Sequence, residues 1–397
     1  MSRIVERVLP SLRFERSPHA IVELDGLRAL AILLVLGRHG SKVFLSPEQP
    51  FFQLGPWNGA SLLINGWSGV DLFFVLSGFL IAYHLLRRWS ADSWRPQARR
   101  YVQKRLLRIV PAYYAFLLLV VLGGVPGYAI SREDLGWRTA YHLLFLQDYL
   151  PADIVVAFWS LGVEEKFYLV APLLVVPLGL ASAAAGRARW RWVAVLGVLF
   201  WIPAVLRFVL HPGGELGYEE YFFSLRSPFH ASFDGLIAGC ACAFLYARPE
   251  TRRWLAQGRR AVRLQIGGAV AVLLLLVPAP LADTVARWEA ALLGSALALA
   301  FAALMLGLLA GRTALNGWLS GQGLFVISKL SYSLYLVHMV FMDSLLAWLS
   351  SWPGYGGLSL ELQFALYFPL FCAVSALAAL LLHYLVERPF LALKDRI

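Results

Sequence analysis

Charge is scarce in this sequence. Only 15% of the 397 residues are Asp, Glu, Lys or Arg, while 59% are hydrophobic; a soluble domain carries roughly a quarter charged residues. That balance excludes an ordinary soluble chain and points to a polytopic membrane protein, for which lipid replaces water as the solvent to be satisfied. Cysteine is nearly absent as well. Cys240, Cys242 and Cys372 all fall inside apolar runs, which argues against a disulfide framework or a zinc site. Acidic residues number 24 against 35 Lys and Arg, a net charge of +11. An excess of that size can signal nucleic acid, but its placement along the chain argues for membrane topology instead. No repeat, long disordered linker or second soluble domain is visible. No cleaved signal peptide is expected, because the first apolar run is long and follows a polar tail.

Ten long apolar runs are present, at approximately 24–45, 62–86, 107–125, 161–183, 192–210, 228–247, 264–281, 288–310, 324–349 and 364–386. Most approach the roughly 20 residues a helix needs to cross a bilayer. The connections alternate in basic content. Arg3, Arg7, Arg13 and Arg16 lie in the N-terminal tail; Arg87, Arg88, Arg95, Arg99, Arg100 and Lys104 in the second loop. The fourth loop holds Arg187, Arg189 and Arg191, the sixth a further arginine cluster from Arg248 to Arg263, and the C-terminal tail Lys394 and Arg396. The other loops are poor in Lys and Arg, and one carries Glu215, Glu219 and Glu220. By the positive-inside rule both termini are expected in the cytoplasm, which fits an even number of spans. The expectation is therefore an all-α bundle of ten transmembrane helices, with a cytoplasmic tail at 1–23, a membrane domain at 24–390 and a short cytoplasmic tail at 391–397. Tyr141–Leu146 is too brief to span and is expected as an interfacial helix. Ile4, Val5, Val8, Leu9 and Leu12 recur at helical spacing between arginines, as in a helix lying on the inner membrane surface.

Polar residues inside the runs carry the functional signal. In the first run ten residues separate Arg28 from His39. At about 100° per residue the two return to within roughly 20° of one face, about 16 Å apart along the axis. The second run reads GVDLFFVLSGFL from Gly69 and places Asp71 at membrane depth, where a carboxylate is costly and normally faces a bundle interior or wet cavity. The fourth opens WSLGVEEK from Trp159, with Glu164, Glu165 and Lys166, and the sixth contains Asp234. Adjacent glutamates point about 100° apart, so at most one of the two faces a common site, and Lys166 is available to neutralise the other. His39, Asp71, a Glu and Asp234 are thus expected at comparable height on four helices, the make-up of a general base with its orienting acid. A proton-coupled transporter uses the same groups. Read singly, each has a plainer explanation: a snorkelling Arg28, a packing His39.

Arg105 and Arg108 stand at i and i+3 where the third run begins, suited to phosphate but also to ordinary positive-inside anchoring. In the ninth run Tyr332, Tyr335 and His338 form a polar seam at three-residue steps, with Ser331 beside its first member. Glu387 precedes Pro389, where the last helix is expected to stop with the carboxylate paired to a cytoplasmic arginine. Trp57, Trp137, Trp159, Tyr218 and Tyr221 lie in or beside the outer loops, where rings stack on sugars but also collect simply as interface anchors.

Taken in order, these segments resemble the acyltransferase-3 family of bacterial membrane O-acyltransferases. The match rests on Arg28 with His39, the Gly69–Gly78 stretch, Arg105–Pro111, Trp159–Glu165, Phe233-Asp-Gly-Leu, Ser331–His338 and Glu387–Pro389. The resemblance implies transfer of an acyl group, usually acetyl, from cytoplasmic acyl-CoA to a hydroxyl of a cell-envelope carbohydrate, in the bacterial inner membrane and with no bound cofactor or metal. It implies His39 and Arg28 as the key catalytic pair; the depth ordering above adds Asp71 and Glu165 as expected catalytic residues, either of them orienting the imidazole. The resemblance places Arg105 and Arg108 on the donor side; Tyr332 and Ser331 are expected to join them in binding acyl-CoA, with Glu164, Asp234, Tyr335 and His338 in support. The implied partners are acyl-CoA, a surface glycan or lipid-linked sugar, and the bilayer, not nucleic acid. Two departures are visible: Lys166 stands where the family usually has glutamine, and no hydrolase-like domain follows Pro389, so any second acyl-handling protein is expected to be separate. A small-molecule acceptor such as a macrolide, a secondary transporter and a non-catalytic glycan or lipid binder remain as alternatives.

Overall fold

Each of the ten apolar runs forms a helix. In chain order these are α1 (Val22–Lys42), α2 (Ser68–Arg88), α3 (Trp94–Val121), α4 (Trp159–Ala183), α5 (Arg191–Leu210), α6 (Asp234–Ala247), α7 (Arg260–Leu276), α8 (Arg287–Ala310), α9 (Gln322–Val337) and α10 (Leu360–Leu382). The computed structural model describes residues 14, 16, 21–45, 51, 53, 55, 58–88, 94–150, 152–183, 191–277 and 284–396. The amphipathic segment expected at residues 4–12, and Trp57, lie outside them. Among the described residues six helical stretches are long and apolar enough to cross a membrane: Ala60–Arg87, Val156–Ser182, Arg191–Leu210, Arg287–Ala310, Gln322–Ser350 and Leu360–Lys394. The other four helices depart from that pattern for visible reasons. α1 carries Glu23, Asp25, Arg28, Arg38 and Lys42, and α3 is rich in basic residues over its first half. α6 and α7 have 14 and 17 residues. The protein is a multi-pass, almost entirely helical membrane protein.

Its outward faces carry leucines that a soluble protein would hide: Leu169, Leu173 and Leu385 are each more than 70% exposed. Inward, one continuous core runs through the bundle. The tightest crossing joins α2 to α6. A Cβ on Gly78 would fall 2.0 Å from the Leu236 carbonyl oxygen, and one on Gly239 would fall 2.1 Å from that of Val75. The two backbones therefore touch where each helix presents a glycine, the small-residue packing common in membranes. α1 packs between α9 and α2, which brings the first, second and ninth runs together.

Several local expectations are corrected. Pro389 does not stop the chain's last helix. A π-helical turn at His383–Glu387 leads into a further helix, Arg388–Asp395, with the proline in its first turn, where a missing N–H costs nothing. Glu387 pairs not with an arginine but with His383 Nδ1 at 2.8 Å and the Ser333 hydroxyl at 2.7 Å. A two-stranded antiparallel ribbon, β1 (Glu215–Gly217) with β2 (Thr284–Ala286), joins the segment after α5 to the start of α8. The helix in the loop before α4 spans Leu135–Leu143, earlier than Tyr141–Leu146.

Candidate active site

A cavity of about 670 Å³ opens among α1, α2, α3, α4 and α9. At its arginine-rich end lie His84, Gln97, Arg100, Lys104 and Lys394; at the other lie Val70, Phe73, Phe74, Ser160 and Tyr335. The rise along α2 from His84 to Val70 is roughly 21 Å at about 1.5 Å per residue, so the cavity is long and narrow. Arg28, Arg105 and Arg108 line its middle, giving six basic side chains with those at the mouth, against one carboxylate, Glu164. Arg105 lies over the Tyr168 ring at 4.6 Å, a cation–π contact that holds its guanidinium against the wall.

Glu164 is the glutamate that faces this site. Its two oxygens accept hydrogen bonds from Ser77 Oγ at 2.7 Å and Tyr168 Oη at 3.0 Å. Glu165, expected beside the histidine, does not line the cavity, and its Oε1 is buried without a hydrogen-bond partner. Lys166 neutralises neither glutamate. Its ammonium is bonded to Asp148 and to the Phe145 carbonyl, fastening the loop before α4 to that helix.

The polar seam of α9 is divided among three neighbours. Tyr332 Oη donates to the Ile109 carbonyl of α3 at 2.7 Å. Tyr335 Oη donates to the Ala157 carbonyl at 2.7 Å and so receives the Ser160 hydroxyl at 2.6 Å. Ser331 Oγ donates within the helix to Ser328 O. His338 reaches α1, where its Nε2 lies 3.0 Å from His39 Nδ1.

That contact fixes the state of both rings. His338 Nδ1 lies 2.9 Å from the Tyr335 carbonyl and 3.1 Å from that of Leu334, and carbonyls only accept, so Nδ1 carries the proton. In the neutral ring Nε2 then accepts from His39 Nδ1, which is also 3.0 Å from the Val35 carbonyl. The remaining nitrogen of His39, Nε2, is left with its lone pair. This tautomer is assigned from the hydrogen-bond network. Orientation of His39, expected from Asp71 or Glu165, is thus provided by His338.

Asp71 and Asp234 are held elsewhere. Arg226 Nη1 and Nη2 grip the two oxygens of Asp71 at 2.8 and 2.7 Å, with the guanidinium between Trp67 and Trp159 at 5.0 and 5.5 Å. Arg207 Nη2 and Ser295 Oγ bind Asp234 Oδ2 at 2.8 and 2.6 Å. Sequence reading missed both arginines. They stand at the membrane end that the basic loops avoid, and a cation there signals a buried carboxylate to neutralise. Trp159 and Tyr221 are buried, the first against Arg226, and among the described rings named for sugar stacking Trp137 is the openly exposed one. No group of three potential metal ligands occurs among the described residues.

A helical membrane bundle around a long cation-lined cavity, with a paired histidine beyond its apolar end, defines an integral-membrane protein built on a buried polar site. The model of the acyltransferase-3 family, described as an acyltransferase domain, matches residues 21–384, and the chain belongs to this family. Among curated proteins it is similar to a putative peptidoglycan O-acetyltransferase, YrhL, of Bacillus subtilis, with 30% identity over 237 residues, 56% of this chain and 33% of the relative. The peptidoglycan O-acetyltransferase OatA of Listeria monocytogenes is 27% identical over 267 residues, 64% of this chain and 38% of the relative. A putative O-acetyltransferase of Staphylococcus aureus is 24% identical over 248 residues. The matches to the Bacillus and Listeria proteins span only 33% and 38% of those relatives' lengths.

Proposed function

We propose that this chain moves an acyl group, acetyl by analogy with its relatives, from acyl-CoA to a hydroxyl of an envelope glycan, with a peptidoglycan-type sugar the first candidate. The observation that carries this reading is the run of six basic side chains along a narrow cavity whose apolar end lies one helical turn below His338. Phosphates of acyl-CoA would rest among Arg100, Lys104, Arg108 and Lys394, where charge-assisted bonds to phosphate are strongest. The pantetheine arm then extends past Arg28 and Glu164 toward Ser160 and Tyr335. His39 Nε2 takes the proton of the acceptor hydroxyl as its oxygen attacks the thioester carbon. Collapse of the tetrahedral intermediate breaks the C–S bond, and the departing thiolate takes the proton back from the imidazolium. In a second route His39 attacks first and carries the acyl group itself; an acyl-histidine trapped without acceptor would select it.

The topology that serves this chemistry has ten crossings, both termini in the cytoplasm and the basic cavity mouth facing cytoplasmic acyl-CoA. Its support is the alternation of basic loops. A transporter reading is weakened by Asp71 and Asp234, which are locked to arginines and so poorly placed to cycle protons. The test is mass spectrometry of envelope glycans from a strain lacking this chain, complemented with wild type or His39→Ala. An O-acyl mass restored by wild type alone is expected. An unchanged profile would redirect the acceptor search to small molecules.

A further inference from the structure

His39 and His338 are absent from the lining of the arginine-lined cavity, whose apolar end is lined by Tyr335, Ser160 and Phe73. Tyr335 is the element in common. Its ring lies 5.8 Å from that of His338 and meets Phe73 edge-on at 6.2 Å, so it stands between the cavity and the pair. Its hydroxyl is saturated: the proton goes to the Ala157 carbonyl, and the oxygen accepts from Ser160. A saturated hydroxyl cannot polarise a thioester while it remains so. The two tethers hold the ring of α9 against the start of α4, and both are ordinary neutral hydrogen bonds that a few kcal/mol can exchange. Just beyond Tyr335 the helix changes character. α9 ends at Val337 and continues as a 3₁₀ turn, His338–Phe341, before the helix Met342–Ser350. A 3₁₀ stretch inside a long helix is a common place for it to flex.

We propose that Tyr335, tethered to Ala157 and Ser160, is the partition between the acyl-CoA cavity and the His39–His338 pair, and that its displacement admits the acyl group to His39. The proposal deepens the acyl-CoA reading given above and rests on it for the identity of what passes. With the partition closed, His39 is shielded from water entering through the donor cavity. With it open, the cavity and the histidines become continuous. Tyr335 is in this sense a positioning residue that decides between transfer and wasteful hydrolysis. Ser160 is its latch.

Two measurements test it. In the first, Cys240, Cys242 and Cys372 are replaced by alanine and His39 by cysteine as a reporter. Vesicles exposing the arginine-rich end are treated with a membrane-impermeant anionic thiosulfonate, whose charge suits the basic cavity. The reporter is expected to stay unlabelled with Tyr335 present and to label when Tyr335→Ala is added; labelling with Tyr335 in place overturns the partition. This arm needs no acyl-CoA, so it stands even if the donor reading fails, which an absence of CoA binding by wild type would reveal separately. In the second, purified Tyr335→Phe keeps the ring and loses both tethers. The ratio of acetyl-CoA hydrolysis to acyl transfer is expected to rise roughly tenfold, the weight of one or two neutral hydrogen bonds, with a smaller rise for Ser160→Ala. A merely structural role would lower hydrolysis and transfer together, leave their ratio fixed and refute the proposal.

Discussion

His338 Nε2 lies 3.0 Å from His39 Nδ1, joining two residues 299 positions apart in the chain. Because His338 Nδ1 is committed to backbone carbonyls, the contact commits His39 to one tautomer. His338→Leu removes that commitment. In the proposed mechanism His39 then spends part of its time with the proton on the wrong nitrogen, and kcat is expected to fall about tenfold or more with little change in KM for acyl-CoA. His338→Gln, whose amide oxygen can accept from His39, should recover part of the loss. His39→Ala is expected to cost about 10²- to 10⁴-fold, the range of a positioned general base. Steady-state kinetics on purified protein checks all three, and a loss for His338→Leu confined to KM would contradict the assignment.

Glu164 and Glu165 are neighbours in sequence with different surroundings. Glu164 lines the cavity and accepts from Ser77 and Tyr168; Glu165 does neither. Glu164→Gln exchanges one accepting oxygen for a donating amide opposite a hydroxyl and removes the one negative charge among the cavity's cations. Acyl transfer should fall by about tenfold or more, since an unmade buried hydrogen bond costs roughly 1–3 kcal/mol. Glu165→Gln should change it less than Glu164→Gln does. Equal losses would show that facing the cavity does not separate the two roles.

The pattern of apolar runs was enough to locate every long helix, because alternation of spans and basic loops is imposed by the bilayer and written locally. The convergence expected of His39, Asp71, a Glu and Asp234 on α1, α2, α4 and α6 is only partly met: Glu164 faces the cavity, while Asp71 and Asp234 are held by Arg226 and Arg207. Pairing was not legible. Asp71 with Arg226 and Asp234 with Arg207 are contacts across 155 and 27 positions, set by how helices cross rather than by periodicity. His338 was visible only as the top of a seam. Its role depends on which ring of α1 it meets, and that follows from the packing of α9 on α1. Gly78 of the second run is fixed by packing, as a Cβ there would strike the Leu236 carbonyl.

That crossing makes its own prediction. Gly78→Ala places a methyl group 2.0 Å from a backbone oxygen, and neither α2 nor α6 can yield without moving the other. Overpacking of this kind typically costs about 1–3 kcal/mol. Thermal unfolding in detergent should show a clearly lowered midpoint for Gly78→Ala, whereas Gly197→Ala, on α5 with open space around its Cβ, should leave it unchanged or raised. Comparable midpoints for the two would mean the α2–α6 contact is looser than it stands.

The Asp71–Arg226 pair gives the sharpest test of whether the outer carboxylates serve structure or chemistry. Both residues are buried, Asp71 at 3% and Arg226 at 6% exposure. Removing one partner strands the other charge, so Asp71→Leu or Arg226→Met alone should destabilise the protein by about 3–5 kcal/mol and sharply reduce the folded yield. Replacing both together removes the charges and leaves apolar groups against Trp67 and Trp159, which is often close to neutral. The double variant is therefore expected to regain most of the lost stability. If Asp71 acts only through this pair, the double variant should regain acyl transfer in proportion to its folded fraction. Stability recovered with activity still absent would instead return Asp71 to the chemistry, and the comparison of unfolding midpoint with turnover in the same preparation separates the two results.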